Sequence, residues 1–309
     1  RSAPVRSALW VKTWLLVMRI DSHLFPHAGQ CIKGFLHQGG VQISALFAAP
    51  DSVTISARRP ALVLALAFFV SLSALARGYF NDLAPLIVPH PTSFAECRQF
   101  FAEGRPPMVA PRPALRELCY EAFAVLHSGE SKTPVFVAQR LNRKSIEDAD
   151  ERRADKFFAD ARLPVAERAE LEDDKRSGYS HGHMAPAGDM PTPTAMAQSF
   201  SLANMVPQNA QQNGGSWAKI EQDTRKYALR AKGDVYVITG PVFESKAPTI
   251  GEGRVQVPRY LFKLVYDATT GRSWAHWQEN REGERVSAPI SYRELVRRTG
   301  VEFLPGVGK

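Results

Sequence analysis

The chain is poor in cysteine. Its 309 residues hold three, Cys31, Cys97 and Cys119, and no two stand in a CxxC pair. That excludes a thiolate zinc site of the finger or ribbon kind, which needs closely spaced pairs. Internal repeats and low-complexity runs are also missing, so solenoids and repeat arrays are excluded. The apolar run from Ala61 to Leu75 falls short of the roughly 18 to 20 residues of a comfortable membrane span. Acidic residues are the minority among the charges, 31 against 39 Lys and Arg, which leaves a formal net charge of +8. A field of that sign favours polyanionic partners, nucleic acid or an anionic membrane surface. The rest is ordinary: 44% hydrophobic and 23% charged residues belong to a globular protein with room for one large domain or two small ones.

Residues 1–57 alternate apolar clusters such as Leu15-Leu16-Val17-Met18 with Gly, His and Ser. They show no sustained period and do not read as a folded domain. Arg58-Arg59 then precede the apolar run, which ends in Ala74-Leu75-Ala76. A basic region, a short apolar core and an A-x-A site make residues 58–76 a secretory signal peptide, the alternative being an uncleaved signal anchor. A signal placed some fifty residues inside the chain makes 1–57 a wrongly extended start, outside the mature protein. The expected product is secreted or periplasmic, without stable membrane association after cleavage. It has a linker over 77–96 and one domain over 97–309. Export would place Cys97 and Cys119 in an oxidising compartment, where a disulfide closing that loop stabilises by roughly 3 kcal/mol. The alternative is two buried free thiols.

Within that domain, Tyr120 to His127 and Pro134 to Leu141 read as strands about a turn at Ser128-Gly129-Glu130. Ser145 to Glu172 is charge-dense. Tyr179 to His183 alternates as a short strand, which puts His181 and His183 on one side. Gly182 between them keeps the backbone slim enough for a phosphodiester to approach. Ser199 to Asn204 is expected as a second strand, and Pro207 starts a loop to Asn213. From there Trp217, Ile220, Thr224 and Tyr227 recur at helical spacing. Asp234 to Pro241, Val257 to Tyr266 and Ser273 to Trp277 complete the strands. Ser291 and Glu294 open a last helix that stops at Gly300.

The candidate chemistry lies between Arg176 and Glu221. His181 and His183 allow three readings: a surface pair, a zinc pair completed by Asp189, or His183 as a general base that takes a proton from attacking water. Asn213 can offer its amide oxygen to Mg²⁺, a hard cation that takes few protein ligands, or it can cap the helix. Glu221 lies roughly 12 Å further along the axis and would reach such a cation through water; otherwise it forms a solvent ion pair. The residues alone leave these alternatives open.

Ser180-His181-Gly182-His183-Met184-Ala185-Pro186, then Asn204-Met205-Val206-Pro207-Gln208, then Asn213-Gly214-Gly215-Ser216-Trp217-Ala218-Lys219-Ile220-Glu221 closely resemble the motifs of the DNA/RNA non-specific endonuclease family, the ββα-metal (His-Me finger) nucleases. That family reads Asp-Arg-Gly-His-x-Ala-Pro, Asn-x-x-Pro-Gln and Asn-x-x-x-Trp-x-x-x-Glu. The resemblance covers about Cys97 to Pro305. It implies an α+β fold, a central antiparallel β-sheet flanked by helices with a ββα-metal motif at the site. His183 then matches the general base, Asn213 the Mg²⁺ ligand (Mn²⁺ being an alternative) and Glu221 a ligand through water. Arg153, in Arg153-x-x-x-Phe157-x-x-Asp160, matches the phosphate-contacting arginine. The implied activity is sugar-non-specific hydrolysis of DNA and RNA through backbone contacts, giving 5′-phosphate ends. Ser180-His181 replaces the family's Asp-Arg, so His181 would supply positive charge only when protonated, favouring mildly acidic pH. The rival readings are a non-catalytic nucleic-acid-binding module of this fold and a zinc-dependent phosphoesterase using both histidines.

Overall fold

Phe123 and, in the strand it leads into, Ala124, Val125 and Leu126 are apolar at successive positions because this stretch is covered on both faces. Phe123 and Val125 enter one core, and Ala124 and Leu126 enter the other. The same alternation places Leu261 in the first core and Phe262 in the second, as the two-residue period of a strand requires. The computed structural model describes residues 90–307. The expected upstream segment and signal peptide lie outside the described residues.

The described strands are β1 (His90–Pro91), β2 (Met108–Val109), β3 (Leu115–Cys119), β4 (Ala124–Ser128), β5 (Thr133–Leu141) and β6 (Ser180–His183). They continue with β7 (Met205–Gln208), β8 (Val235–Val242), β9 (Thr249–Ile250), β10 (Val255–Gln256), β11 (Tyr260–Asp267) and β12 (Arg272–Glu279). Six of them build one antiparallel sheet in the order β12-β11-β8-β5-β4-β3. This is the α+β architecture expected from the sequence. One face carries aromatic packing from Phe94, Phe101, Phe136 and Phe303 with helix α5 (Tyr292–Thr299) through Leu295. That helix is capped by Ser291, which accepts from the Glu294 amide, and it ends on Gly300 at φ 68°. The opposite face receives Met184, Met190, Phe200, Trp217 and Ile220. The candidate site is built on this face.

The Cys97–Cys119 disulfide is formed across a Cα–Cα distance of 5.8 Å. It ties the Arg98–Phe100 turn to edge strand β3. Among the described residues no helix is long and apolar enough to cross a membrane.

Three expectations are corrected. Ser199 to Asn204 is not a strand: helix α2 (Pro193–Ser199) ends there, a tight turn spans Leu202–Asn204, and the second strand is β7. The signal for α2 is a start motif: the Thr192 hydroxyl accepts from the Ala195 amide at 3.1 Å and Pro193 fills the first helical position. Pro207 lies within β7, opposite His181. The following helix begins at Ala210 behind an Asn209 cap, not at Asn213. It runs from α3 (Ala210–Gln212) through a π-turn (Asn213–Trp217) into α4 (Ala218–Arg230).

Candidate active site

β6 and β7 pair antiparallel, Ser180 opposite Gln208 and His183 opposite Met205. The helix that starts at Ala210 follows at once, so the site is two short strands and a helix. Gly182 has a different reason from the expected one. A Cβ there would stand 2.7 Å from the Cβ of Gln208, so the missing side chain makes room for the residue of β7 that packs over it. Gln208 in turn donates from Nε2 to Gln212 Oε1 at 2.5 Å, joining hairpin to helix.

The segment after His183 is held by Asn204, which is fully buried. Its Oδ1 accepts from the Ala185 amide at 2.9 Å, and its Nδ2 donates to the carbonyls of Ala185 and Ser199, each at 2.9 Å. Asn204→Leu strands three buried backbone groups and is expected to cost about 2–5 kcal/mol, measured by urea unfolding.

His183 lies edge-on to Phe200, ring centres 5.0 Å apart. Its Nε2 is buried with no hydrogen-bond partner among the described residues. Burial first, then the charge of Arg153, pushes its imidazole down to about 3. The ring is therefore neutral at physiological pH, the state a general base needs. Arg153 reaches the site over the same Phe200 ring, 5.0 Å from its centre, and pairs with Asp155. Asp160, seven residues on, is buried. The Asp160 carboxylate accepts from Tyr120 Oη at 2.5 Å and from Arg162. Burial raises the Asp160 carboxyl, but those hydrogen bonds win and hold it at about 2.

The depressed imidazole has a consequence for stability. A folded-state value near 3 against an ordinary 6.5 means its contribution is complete above pH 6.5 and is lost as pH falls through 3. Calorimetry should therefore show the wild-type Tm falling more steeply than that of His183→Ala between pH 6.5 and 4.

Asn213 is oriented by the start of β6. Its Nδ2 donates to Ser180 Oγ at 3.1 Å and to the His181 carbonyl at 3.4 Å. With the nitrogen so engaged, Oδ1 is the end left for a cation. Capping, the alternative use, falls to Asn209, which accepts from the Gln211 and Gln212 amides. An amide oxygen of this kind suits Mg²⁺ or Mn²⁺ with most waters retained. Glu221 stands in α4, one turn after the fully buried Trp217. Burial raises its carboxyl to about 7 against the opposing charge of Lys263. A divalent cation nearby would favour the ionised form.

His181 stacks on Phe157 with ring centres 4.2 Å apart, and its Nε2 lies 2.9 Å from Asp174 Oδ2. Asp189 does not complete a zinc site with the histidines. It is buried, accepting from Arg225 at 2.9 Å and Gln139 at 3.3 Å. Among the described residues no group of three His, Cys, Asp or Glu could hold a metal.

Two contributors were missed from sequence. Ser180 sets the Asn213 amide, a role visible only once β6 and the helix meet. Lys263, buried on β11, donates to Thr239 at 2.8 Å and stands 5.5 Å from the Trp217 ring centre.

The model of the DNA/RNA non-specific endonuclease family matches residues 108–309. A mitochondrial nuclease EXOG of Danio rerio is 32% identical over 214 residues, 62% of this chain and 61% of the relative. The human EXOG is 34% identical over 158 residues, 48% of this chain and 43% of the relative. Human mitochondrial endonuclease G is 28% identical over 216 residues, 63% of this chain and 72% of the relative. The chain thus spans less than two thirds of these EXOG relatives' lengths, 61% and 43%. A crystal structure of an EndoG/EndoGI complex has the same fold, with a TM-score of 0.58 at 23% identity, covering 71% of this chain and 94% of that one. These relatives correct the expected localisation. They are named as mitochondrial nucleases, which points to mitochondrial rather than secreted or periplasmic placement. A basic stretch before a short apolar run misled because it does not specify the membrane: residues 1–60 contain only Asp21 and Asp51 as acids, and transit peptides are also basic and acid-poor.

Proposed function

The chain belongs to the DNA/RNA non-specific endonuclease family, and from that premise we propose that it hydrolyses phosphodiester bonds of DNA and RNA with one bound Mg²⁺. The observation that carries the proposal is the amide of Asn213, turned by Ser180 and His181 so that its oxygen is free, beside the strand that holds a neutral His183. Asn213 would hold the cation directly and Glu221 through water; bound there, it supplies Lewis-acid stabilisation of charge on the phosphate and the leaving oxygen.

The protein's own groups do the rest. His183 accepts the proton of a water as that water's oxygen forms a new bond to phosphorus. The bond from phosphorus to the 3′ oxygen breaks opposite it, its electron pair going to that oxygen, which takes a proton from solvent water, leaving 5′-phosphate and 3′-hydroxyl ends. Arg153 neutralises phosphate oxygens, and its approach with a phosphodiester offsets the charge that depresses His183. Contacts to backbone rather than base edges give cleavage without sequence preference.

Plasmid degradation tests this reading. Cutting should disappear with EDTA, return with Mg²⁺, and stay absent in His183→Ala. Restoration by zinc alone would refute the single-Mg²⁺ scheme, and binding without cutting in every condition would leave a nucleic-acid-binding module.

A further inference from the structure

At the end of α4 remote from Asn213, four cations line one cleft. Arg143 and Lys144 open helix α1 (Arg143–Glu147), Arg230 closes α4, and Lys232 follows it. With Asn142, Ala231 and Gly233 they surround about 530 Å³. All four side chains are exposed, and none is in an ion pair among the described residues. The neighbouring carboxylate, Asp234, is already taken by Asn142 at 2.9 Å and Arg140 at 3.8 Å.

Arg230 and Lys232 sit where a helix C-terminus favours cations. Arg143 and Lys144 lie in α1, five residues long, whose first turn holds no acid to pair with them. Exposed cations gathered around one cleft without carboxylate partners suit an external polyanion. None of the exposed large hydrophobics among the described residues, Phe158, Val165, Leu171 and Val286, lines the cleft. A membrane-surface site pairs its basic residues with such apolar anchors, so the chemistry favours a sugar-phosphate chain over a lipid surface. Arg230 comes seventeen residues after Asn213 in one helical run, about 25 Å along the axis at 1.5 Å per residue. At about 3.4 Å per nucleotide that distance is about seven base pairs.

We propose that this cleft grips the phosphate backbone of the nucleic acid about seven base pairs from the bond being cut. The inference rests on the nuclease reading above and adds a second, remote contact to it.

Lys144→Gln/Arg230→Gln removes two charges from exposed positions. Anisotropy with a labelled duplex, in a His183→Ala background, should show the slope of log affinity against log salt becoming shallower by about 2. In otherwise wild-type protein, kcat/KM on a hairpin with a stem of about 20 base pairs should fall by about tenfold, while a stem of about 6 pairs, too short to reach the cleft, is cut as before. An unchanged salt slope with an unchanged preference for the long stem overturns the inference. So does lost binding to phosphatidylserine vesicles with the nucleic-acid slope intact. If the unsubstituted protein cuts neither stem in Mg²⁺, the nuclease reading fails, while the binding slopes still decide the cleft.

Discussion

His183→Ala should lower the single-turnover rate of duplex cleavage by about 10²- to 10⁴-fold, the usual contribution of a positioned general base. The expectation follows from the state in which the fold holds the ring. Burial and the charge of Arg153 keep the imidazole unprotonated, and Phe200 and Phe157 wall it at ring-centre distances of 5.0 and 6.0 Å. Alanine leaves the Asn204 bonds to Ala185 untouched, so the loop after β6 stays in place. Duplex affinity should therefore survive while chemistry is lost. A rate within about tenfold of wild type would mean that another group takes the proton.

Asn213→Ala should have the second largest effect, a fall of about 10²-fold or more in rate with a matching rise in the Mg²⁺ concentration needed for half-maximal cleavage. The side chain deleted is the one with its nitrogen committed to Ser180 and the His181 carbonyl. Ser180→Ala removes only the group that orients it. Loss of such a supporting partner costs about 10- to 100-fold in metal affinity, so its Mg²⁺ requirement should lie between those of wild type and Asn213→Ala. Titration of cleavage rate against Mg²⁺ checks both. An Asn213→Ala protein with an unchanged Mg²⁺ requirement would remove the amide oxygen from the site.

Much of this fold is legible in the chain because its sheet is buried on both sides. The strands around Val125, Val137, Ile238 and Leu264 announce themselves as apolar runs, and Gly271 and Gly300, both at positive φ, mark a turn and a helix end. The candidate site is legible as residue types in order, not as geometry. The reason for Gly182 lies across the hairpin in Gln208, twenty-six positions away. The orientation of Asn213 depends on Ser180 thirty-three positions before it. Lys263 behind Glu221 looks, in the sequence, like one polar residue in a strand; only the packed helix shows the two charges facing the same interior. Ser199 to Asn204 fits a strand by its apolar and small residues, while the Thr192-Pro193 signal that starts α2 stands further upstream.

Cleavage as proposed needs one cation on the Asn213 amide oxygen and an uncharged His183 imidazole. The most direct test is anomalous diffraction from crystals of His183→Ala grown with Mn²⁺ and a short duplex. The expected result is a single Mn²⁺ peak bonded to Asn213 Oδ1, with water completing the sphere and no histidine ligand. A peak on His181, or none near Asn213 at saturating Mn²⁺, would contradict it.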